Sequence, residues 1–329
     1  MDTFTRRSFG TCTLATLAAG VWPVRATAQG SGQTGKIIVG YPAGGTLDQT
    51  ARRVADAWRK QGRVYVVDNR AGAAGRIANS QLKRERADGS AVLCTHTSAL
   101  TIYPHVYAKL VYDAAADFVP VTPVVAVTCA LAVSSIVPLS VKTLADYVKW
   151  TAQTPMHASY ASPAAGSMAH FLGFQFSQAA GLKLQHIAYR GSAPAMQDLL
   201  GGQIAAYLGF VADFLPYLQS SKLRILGVTG EKRSRFMPGV PTFVEQGFAT
   251  VKGTETYGLF APPGTPESTV KSLYESVVAT ARDESMVSGF EQVGLEPFTL
   301  PPAEYLRMIQ REREAWGAVV QASGFRSED

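Results

Sequence analysis

Three short segments of this chain place small or hydroxyl residues directly before a predicted helix, and such segments can bind anions. Residues 44–46 read Gly-Gly-Thr, residues 162–167 contain two serines and a glycine, and residues 191–193 read Gly-Ser-Ala. The first N–H groups of a helix have no partner inside the helix and carry partial positive charge, so a carboxylate there satisfies both. Ordinary helix caps use the same residue types, and only the position of the segments separates a cap from a site.

The predicted elements put each of these segments at the carboxyl end of a strand. Apolar strand-like runs cover residues 36–41, 157–161 and 185–189, and a stretch with helical periodicity follows each run. Such alternation predicts a parallel sheet with helices on both faces. Ligands of open α/β sheets bind at the carboxyl ends of the strands. The placement therefore favours a ligand site over three unrelated caps.

One apolar segment is longer than an average strand and predicts two domains. Residues 121–133 are β-branched and nearly uninterrupted, which suits a strand that passes from one domain into another. The predicted fold class is α/β, with two α/β domains joined by crossing hinge strands around a ligand cleft. The first domain is expected at residues 29–126 and 226–329, and the second at residues 127–225.

The N-terminus predicts export. Residues 1–28 contain Arg6 and Arg7, a short apolar run and the small-residue pattern Ala-Thr-Ala, as in a cleaved signal peptide of twin-arginine or general secretory type. The apolar run is shorter than the roughly 20 residues that span a bilayer. The expected location is the periplasm. The net charge of +6 comes from scattered Lys and Arg, so we expect a mild attraction for anionic solutes and no nucleic-acid partner.

The chain lacks the common motifs of metal sites, cofactor sites and hydrolases. The 5 histidines have no H-x-x-x-H spacing and the cysteines no C-x-x-C spacing, so no metal and no cofactor is expected. Ser167 lies in Ala-Gly-Ser-Met-Ala and lacks the glycines of a nucleophile elbow. Cys94 and Cys129 lie in strand-like runs, where buried free thiols are favoured over a disulfide.

An ordered set of motifs resembles the Bug family, the extracytoplasmic receptors of tripartite tricarboxylate transporters. The motifs are Tyr-Pro-Ala-Gly-Gly-Thr-Leu-Asp at 41–48, Asp-Asn-Arg-Ala-Gly-Ala-Ala-Gly at 68–75, Tyr-Arg-Gly-Ser-Ala-Pro at 189–194, Asp-Leu-Leu-Gly-Gly-Gln at 198–203 and Gly-Leu-Phe-Ala-Pro-Pro-Gly-Thr-Pro at 258–266. The resemblance covers the mature chain. It implies a type II periplasmic-binding-protein fold, a monomer without cofactor, a small carboxylated ligand and membrane transporter subunits as partner.

The ligand-binding residues predicted here come partly from that resemblance and partly from polar or aromatic residues at strand ends. They are Tyr41, Ala43, Gly44, Gly45, Thr46, Asp48, Thr97, Ser98, Ser162, Ala165, Gly166, Ser167, His170, Tyr189, Arg190, Gly191, Ser192, Ala193 and Phe210. The chain departs from many relatives in having Pro-Ala-Ala at 163–165 and in lacking an Asp and an Asn directly after Phe210. These departures favour an aliphatic or aromatic acid over an amine-bearing ligand.

Two other functions stay open from the residues alone. One is an exported hydrolase-like enzyme on the same scaffold, for which Ser167, His170 and Asp48 would have to meet within hydrogen-bond reach. The other is a sensor that presents bound ligand to a membrane signalling protein.

Overall fold

The computed structural model describes residues 34–280 and 283–327. The predicted signal peptide at residues 1–28 lies outside these described residues. Within them, no helix is both long enough and apolar enough to cross a membrane.

The first part of the chain alternates strands and helices, as the sequence predicts. Its elements are β1 (Gly35–Val39), α1 (Thr46–Lys60), β2 (Tyr65–Asn69), α2 (Arg76–Leu82), β3 (Ala91–His96), α3 (Ser98–Thr101), α4 (Tyr103–Val106) and β4 (Val119–Ser134). β1 pairs in parallel with both β2 and β3. α1 buries Val54 and Trp58 among the side chains of Ile37 and Val39, so one apolar face of the helix covers the sheet.

The remainder of the chain repeats the pattern and ends in a long helix. Its elements are α5 (Leu144–Gln153), β5 (Ser159–Ser162), α6 (Met168–Ala179), β6 (Gln185–Ala188), α7 (Ser192–Leu200), β7 (Ala206–Phe210), α8 (Val211–Phe214), β8 (Leu223–Val228), β9 (Thr254–Ala261), α9 (Glu267–Thr280), α10 (Glu284–Glu291), β10 (Glu296–Pro297) and α11 (Pro302–Ser323). Short 3₁₀ turns follow β2, α5 and α8.

β4 runs through both halves of the sheet. The strand order is β2-β1-β3-β9-β4-β7-β5-β6, and β8 and β10 also pair with β4. Up to Thr128, β4 pairs with β9, and from Cys129 onward it pairs with β7 and β8. We call the strands β1–β3, β9 and the first part of β4 the first lobe, and β5–β8 with the rest of β4 the second lobe.

The two-lobed α/β fold class is therefore confirmed, and the predicted long strand at residues 121–133 is observed as Val119–Ser134. The exact domain boundaries stay a prediction: β4 changes partners between Thr128 and Cys129, and the expected boundary at 225/226 falls inside β8.

Two glycines let the elements approach closely enough to position the loops at the strand ends. A Cβ at Gly40 would lie 2.7 Å from the Cα of Gly75, and a Cβ at Gly173 would lie 2.0 Å from the Tyr160 ring. α6 therefore lies directly on β5, and the Tyr160 hydroxyl donates to the carbonyl of His170 at 2.8 Å. These contacts fix the start of α6 relative to the sheet.

α11 contacts both lobes. It packs on α3, α4 and α6 and along β4, and it buries Ile309, Trp316 and Val320. Cys94 and Cys129 are both free and fully buried, which agrees with the favoured interpretation of their sequence context.

Candidate functional site

The loop between β1 and α1 ends in a helix start with no side-chain cap. Gly45 is the residue before the helix, and its extended backbone (φ −71°, ψ 166°) supplies no side-chain oxygen to the first turn. Gly44 has φ +91°, a conformation that favours glycine, and both glycines are exposed. The first amides of α1 therefore have no side-chain cap.

Asp48 holds this loop in place. Its carboxylate accepts hydrogen bonds from the Gly44 amide at 2.8 Å, from Arg52 Nε at 2.8 Å and from Asn69 Nδ2 at 2.9 Å. Burial alone would raise the pKa of Asp48, but these bonds and the Arg52 charge outweigh burial and lower the pKa below its ordinary value. Because Asp48 is only 1% exposed and its oxygens are engaged, it organises the loop from inside.

The loop between β5 and α6 is held by a neutral side chain. Gly166 has φ +73°, and its amide donates to Nδ1 of His170 at 3.1 Å. Since Nδ1 accepts, the ring proton of His170 lies on Nε2. Ser167 is the N-cap of α6, and its hydroxyl accepts from the His170 amide at 3.2 Å.

His170 stacks on His186, with ring centroids 3.8 Å apart and planes inclined by 14°. Burial lowers the pKa of His170 to about 3, with a further contribution from His186, and burial lowers the pKa of His186 to about 4. Both rings are neutral near pH 7.

A serine and a histidine also form a hydrogen bond, but its direction is the reverse of that between a nucleophile and its base. Ser162 Oγ lies 2.7 Å from Nε2 of His186 and donates its own proton to the Ala164 carbonyl at 3.0 Å. His186 is therefore the donor in the pair, and the serine proton is directed at the Ala164 carbonyl and not at a base. Ser162 is fully buried as well.

The start of α7 lies next to the second loop. Gly191 precedes the helix with φ +108°, and its amide donates to the carbonyl of Pro163 at 2.8 Å. Ser192 is the first residue of the helix, and no side-chain cap bond is present at this helix start. Arg190 and Ala193 are exposed beside it.

Sequence reasoning missed an acid at the end of β7. Asp213 accepts from the Phe210 amide at 3.1 Å and from the Tyr207 hydroxyl at 3.2 Å, and Ser192 bonds to it as well. Burial raises the pKa of Asp213 in spite of these donors. The signal available in the sequence was an acid three residues after a strand end, where it can cap a short helix.

Thr97 and Ser98 are directed at an internal acid. The Thr97 hydroxyl donates to Glu255 at 2.8 Å, the Ser98 amide donates to it at 3.0 Å, and the Ser98 hydroxyl bonds to it too. Both residues are almost completely buried. The structure thus places their polar groups on Glu255.

The hydroxyl groups of three tyrosines near the strand ends are engaged by neighbouring side chains. Tyr41 Oη lies 2.8 Å from Nε2 of His96, and burial raises the pKa of Tyr41 to about 12. The Thr46 hydroxyl lies 3.2 Å from the Tyr257 hydroxyl. Tyr189 donates to Asp198 at 2.6 Å, so that its hydroxyl is engaged on α7.

Eleven of the nineteen predicted residues fall into two groups, and the others are half-buried except for the buried Gly166. Six loop residues at the strand ends are exposed: Ala43, Gly44, Gly45, Ala165, Arg190 and Ala193. The residues Asp48, Thr97, Ser98, Ser162 and His170 are buried and bonded to neighbouring groups. Among the described residues, no group of three or more His, Cys, Asp or Glu side chains is arranged to hold a metal ion.

Comparison with known proteins gives one consistent result. The model of the family described as tripartite tricarboxylate transporter family receptor matches residues 50–325. Protein BugT of Bordetella pertussis is 30% identical over 291 residues, which are 88% of this chain and 89% of BugT.

Solved structures agree with the sequence match. The structure of R. palustris Rpa4515 with adipate is 29% identical, with a TM-score of 0.79, and the match covers 89% of this chain and 98% of that one. The periplasmic binding protein BugD is 27% identical, with a TM-score of 0.75 and the same coverage of 89% and 98%.

Proposed function

Because this chain belongs to the tripartite tricarboxylate transporter receptor family, whose members are periplasmic solute receptors and not enzymes, we propose that it captures a small carboxylate and delivers it to the membrane subunits of such a transporter. The resemblance seen in the sequence motifs is thereby confirmed at the level of the family. The ligand, the residues that hold it and the delivery step are the content of the proposal.

The observation that carries the proposal is the pair of uncapped helix starts at strand ends. α1 follows Gly45 and α7 follows Gly191, and neither glycine offers a side chain to the first-turn amides. Unpaired N–H groups and the helix dipole both favour an anion at these positions. A carboxylate at each end of the cleft would satisfy both helix starts.

The charges around the loops favour an acid without an amine. The carboxylates of Asp48 and Asp213 are engaged by internal donors, so neither is open to a ligand ammonium group. Phe210, at the end of β7, and the exposed Ala164 and Ala165 of the second loop add apolar surface. An aliphatic or aromatic acid fits these features, and since the 29% identical Rpa4515 was solved with adipate, adipate is the first compound to test.

Delivery would follow closure of the two lobes on the ligand. A bound solute shifts the balance between open and closed forms only through its higher affinity for the closed form. A receptor of this kind acts as a monomer, and the closed form is the one that would dock on the transporter. The change of partners in β4 between Thr128 and Cys129 makes this part of the strand the proposed hinge.

Titration calorimetry tests the capture step. We expect adipate or benzoate to bind and L-aspartate to bind at least tenfold more weakly. Gly45→Val should weaken acid binding at least tenfold, because the new side chain covers the first-turn amides. The fold should tolerate it, since the backbone of Gly45 is extended and an added Cβ would lie 3.7 Å from the Pro42 carbonyl.

Gly239→Val is the matched control, because Gly239 is exposed and has no atom within 4 Å of an added Cβ. It should leave the affinity unchanged. Equal affinity in a folded Gly45→Val protein, or no binding of any acid, would contradict the proposed site.

Uptake of the same labelled acid by cells tests delivery. Cells lacking this protein should lose uptake, and the wild-type protein but not Gly45→Val should restore it. Unchanged uptake by cells lacking a protein that binds the acid in vitro would favour the sensor over the transport receptor.

A further inference from the structure

A second cavity lies between α11 and the strands that join the lobes. Its volume is about 530 Å³, within the range of small-molecule sites, and none of the residues predicted for the carboxylate lines it. α11 contributes Met308, Glu312 and Trp316, which are spaced so as to form one stripe of the helix. α6 contributes Met168 and Gln175.

Two hydrogen-bond acceptors at this cavity have no donor in the described part of the protein. They are Oε2 of Glu312 and Oε1 of Gln175, and both atoms are shielded from bulk solvent. A buried acceptor without a donor destabilises the protein, because it has lost its hydrogen bonds to water. A ligand that brings several N–H groups and no acceptor would remove this cost at both oxygens.

The ion pairs around the cavity engage two of the three basic side chains in its lining. Lys252 pairs with Glu231 at 3.3 Å, and Arg233 pairs with Glu245 at 3.0 Å. Both basic side chains line the cavity, and the positive charge of each is neutralised by its glutamate partner.

Two other acids of the cavity lining have no such basic partner among the described residues. Glu296 and Glu312 both line it, and neither has an ion pair among the described residues, whereas Lys232 is the one lining base left over and is exposed. Burial and the nearby Glu255 raise the pKa of Glu312 to about 8. Near pH 7 this carboxyl is therefore mostly protonated in the free protein, and an ammonium group beside it would favour the ionised form.

Apolar side chains cover the rest of the surface. Trp316, Phe298 and Met168 line the cavity, and an indole ring attracts a cation placed over its face. The site therefore combines buried acceptors, a carboxyl group that a neighbouring cation would ionise, and aromatic surface.

We propose that this cavity is a second ligand site, separate from the carboxylate cleft, and that it binds a primary amine attached to a small aromatic or aliphatic group. The ammonium group donates to Glu312 and Gln175, and the apolar group packs against Trp316 and Phe298. This chemistry is opposite in sign to that of the cleft, where backbone amides face an anion. The two sites would bind different classes of compound.

Titration calorimetry of the full chain with phenethylamine tests the proposal. We expect phenethylamine to bind at least tenfold more tightly than 2-phenylethanol, which has the same shape and no charge. Glu312→Gln should lower the phenethylamine affinity at least tenfold, while its melting temperature stays at or above that of the wild type because a buried carboxyl is removed. Ala315→Phe, on the exposed rim of α11, should fill the cavity entrance and also abolish binding.

Glu314→Gln is the matched control, because Glu314 lies on the same helix, is exposed and does not line the cavity. It should bind phenethylamine as the wild type does, and so should Gly45→Val, whose change lies in the cleft. The proposal is overturned if phenethylamine does not bind, if 2-phenylethanol binds equally well, or if Glu312→Gln has unchanged affinity.

Discussion

The loops before α1 and α6 are built on one plan with two different acceptors. In each, a glycine with positive φ donates its amide to the side chain four residues later, which is the third residue of the following helix. In the first lobe Gly44 donates to the carboxylate of Asp48 at 2.8 Å, and in the second Gly166 donates to the imidazole of His170 at 3.1 Å. The first acceptor is charged and the second is neutral.

This difference changes the potential that each loop presents to an anion. Asp48 puts negative charge into the first turn of α1, partly offset by Arg52, whereas α6 has no acid in its first turn. The positive end of the helix dipole is therefore less opposed at α6 than at α1. A carboxylate in the cleft should be attracted more strongly by the start of α6, and a neutral histidine is the residue type that permits this.

The substitution with the largest expected effect on stability is Asp48→Ala. The change removes the acceptor of Gly44, Arg52 and Asn69 at once, so we expect a loss of about 2 to 3 kcal/mol in the free energy of unfolding, measured with urea. Asp48→Asn, which keeps one acceptor oxygen, should lose less. Equal stability of the alanine variant and the wild type would show that the charged contact does not hold the first loop.

The second test is acid pH, which should act on the second lobe first. His170 has a folded pKa of about 3, below the ordinary 6.5, so the unfolded chain takes up the proton first. Stability is full above pH 6.5 and falls as the pH drops towards 3. This loss is about 1.4 kcal/mol per pH unit, or roughly 2 kcal/mol at pH 5. His186, whose pKa is lowered to about 4, adds to the same slope.

Asp48 responds in a different pH range. Its folded pKa lies below 3.8, so the stability that it contributes is present above pH 3.8 and is lost only below that value.

His170→Asn is the control for the histidine: the amide oxygen of the new asparagine can accept from Gly166, and the amide does not titrate. Its unfolding free energy should depend less on pH between 6.5 and 5 than that of the wild type. Identical slopes would contradict the assignment to His170.

The smallest expected effect belongs to Arg52→Gln. The Arg52 side chain is 51% exposed, and solvent screens its attraction for Asp48. We expect a loss below about 1 kcal/mol in urea unfolding, with the Gly44 contact preserved. A loss as large as that of Asp48→Ala would mean that the ion pair, and not the amide contact, holds the loop.

The elements and their order could be predicted because they depend on local patterns. The strands at residues 121–133 and 185–189 are observed as Val119–Ser134 and Gln185–Ala188, within the usual uncertainty of element ends. The short helices α3, α4 and α8 were missed, since four residues are too few to establish a helical period.

The partners of the polar side chains could not be predicted in the same way. Thr97 and Ser98 meet Glu255 across more than 150 residues, and His170 stacks on His186 from a different element. Such contacts depend on how the strands are ordered in the sheet, which periodicity does not encode. The sequence identified the glycines of the loops correctly as loop residues, but not which side chains hold them.

The position of β9 in the sheet has a consequence for synthesis of the chain. β9 lies between β3 and β4, yet it is made after every strand of the second lobe. Residues 129–228 contain all the strands that pair within that lobe, so they can assemble as soon as they are made. The first lobe, in contrast, has unpaired edges on β3 and β4 until residues 254–261 arrive. The first lobe, whose synthesis begins first, is therefore completed last. The open edges of β3 and β4 are the ones that a chaperone would have to cover.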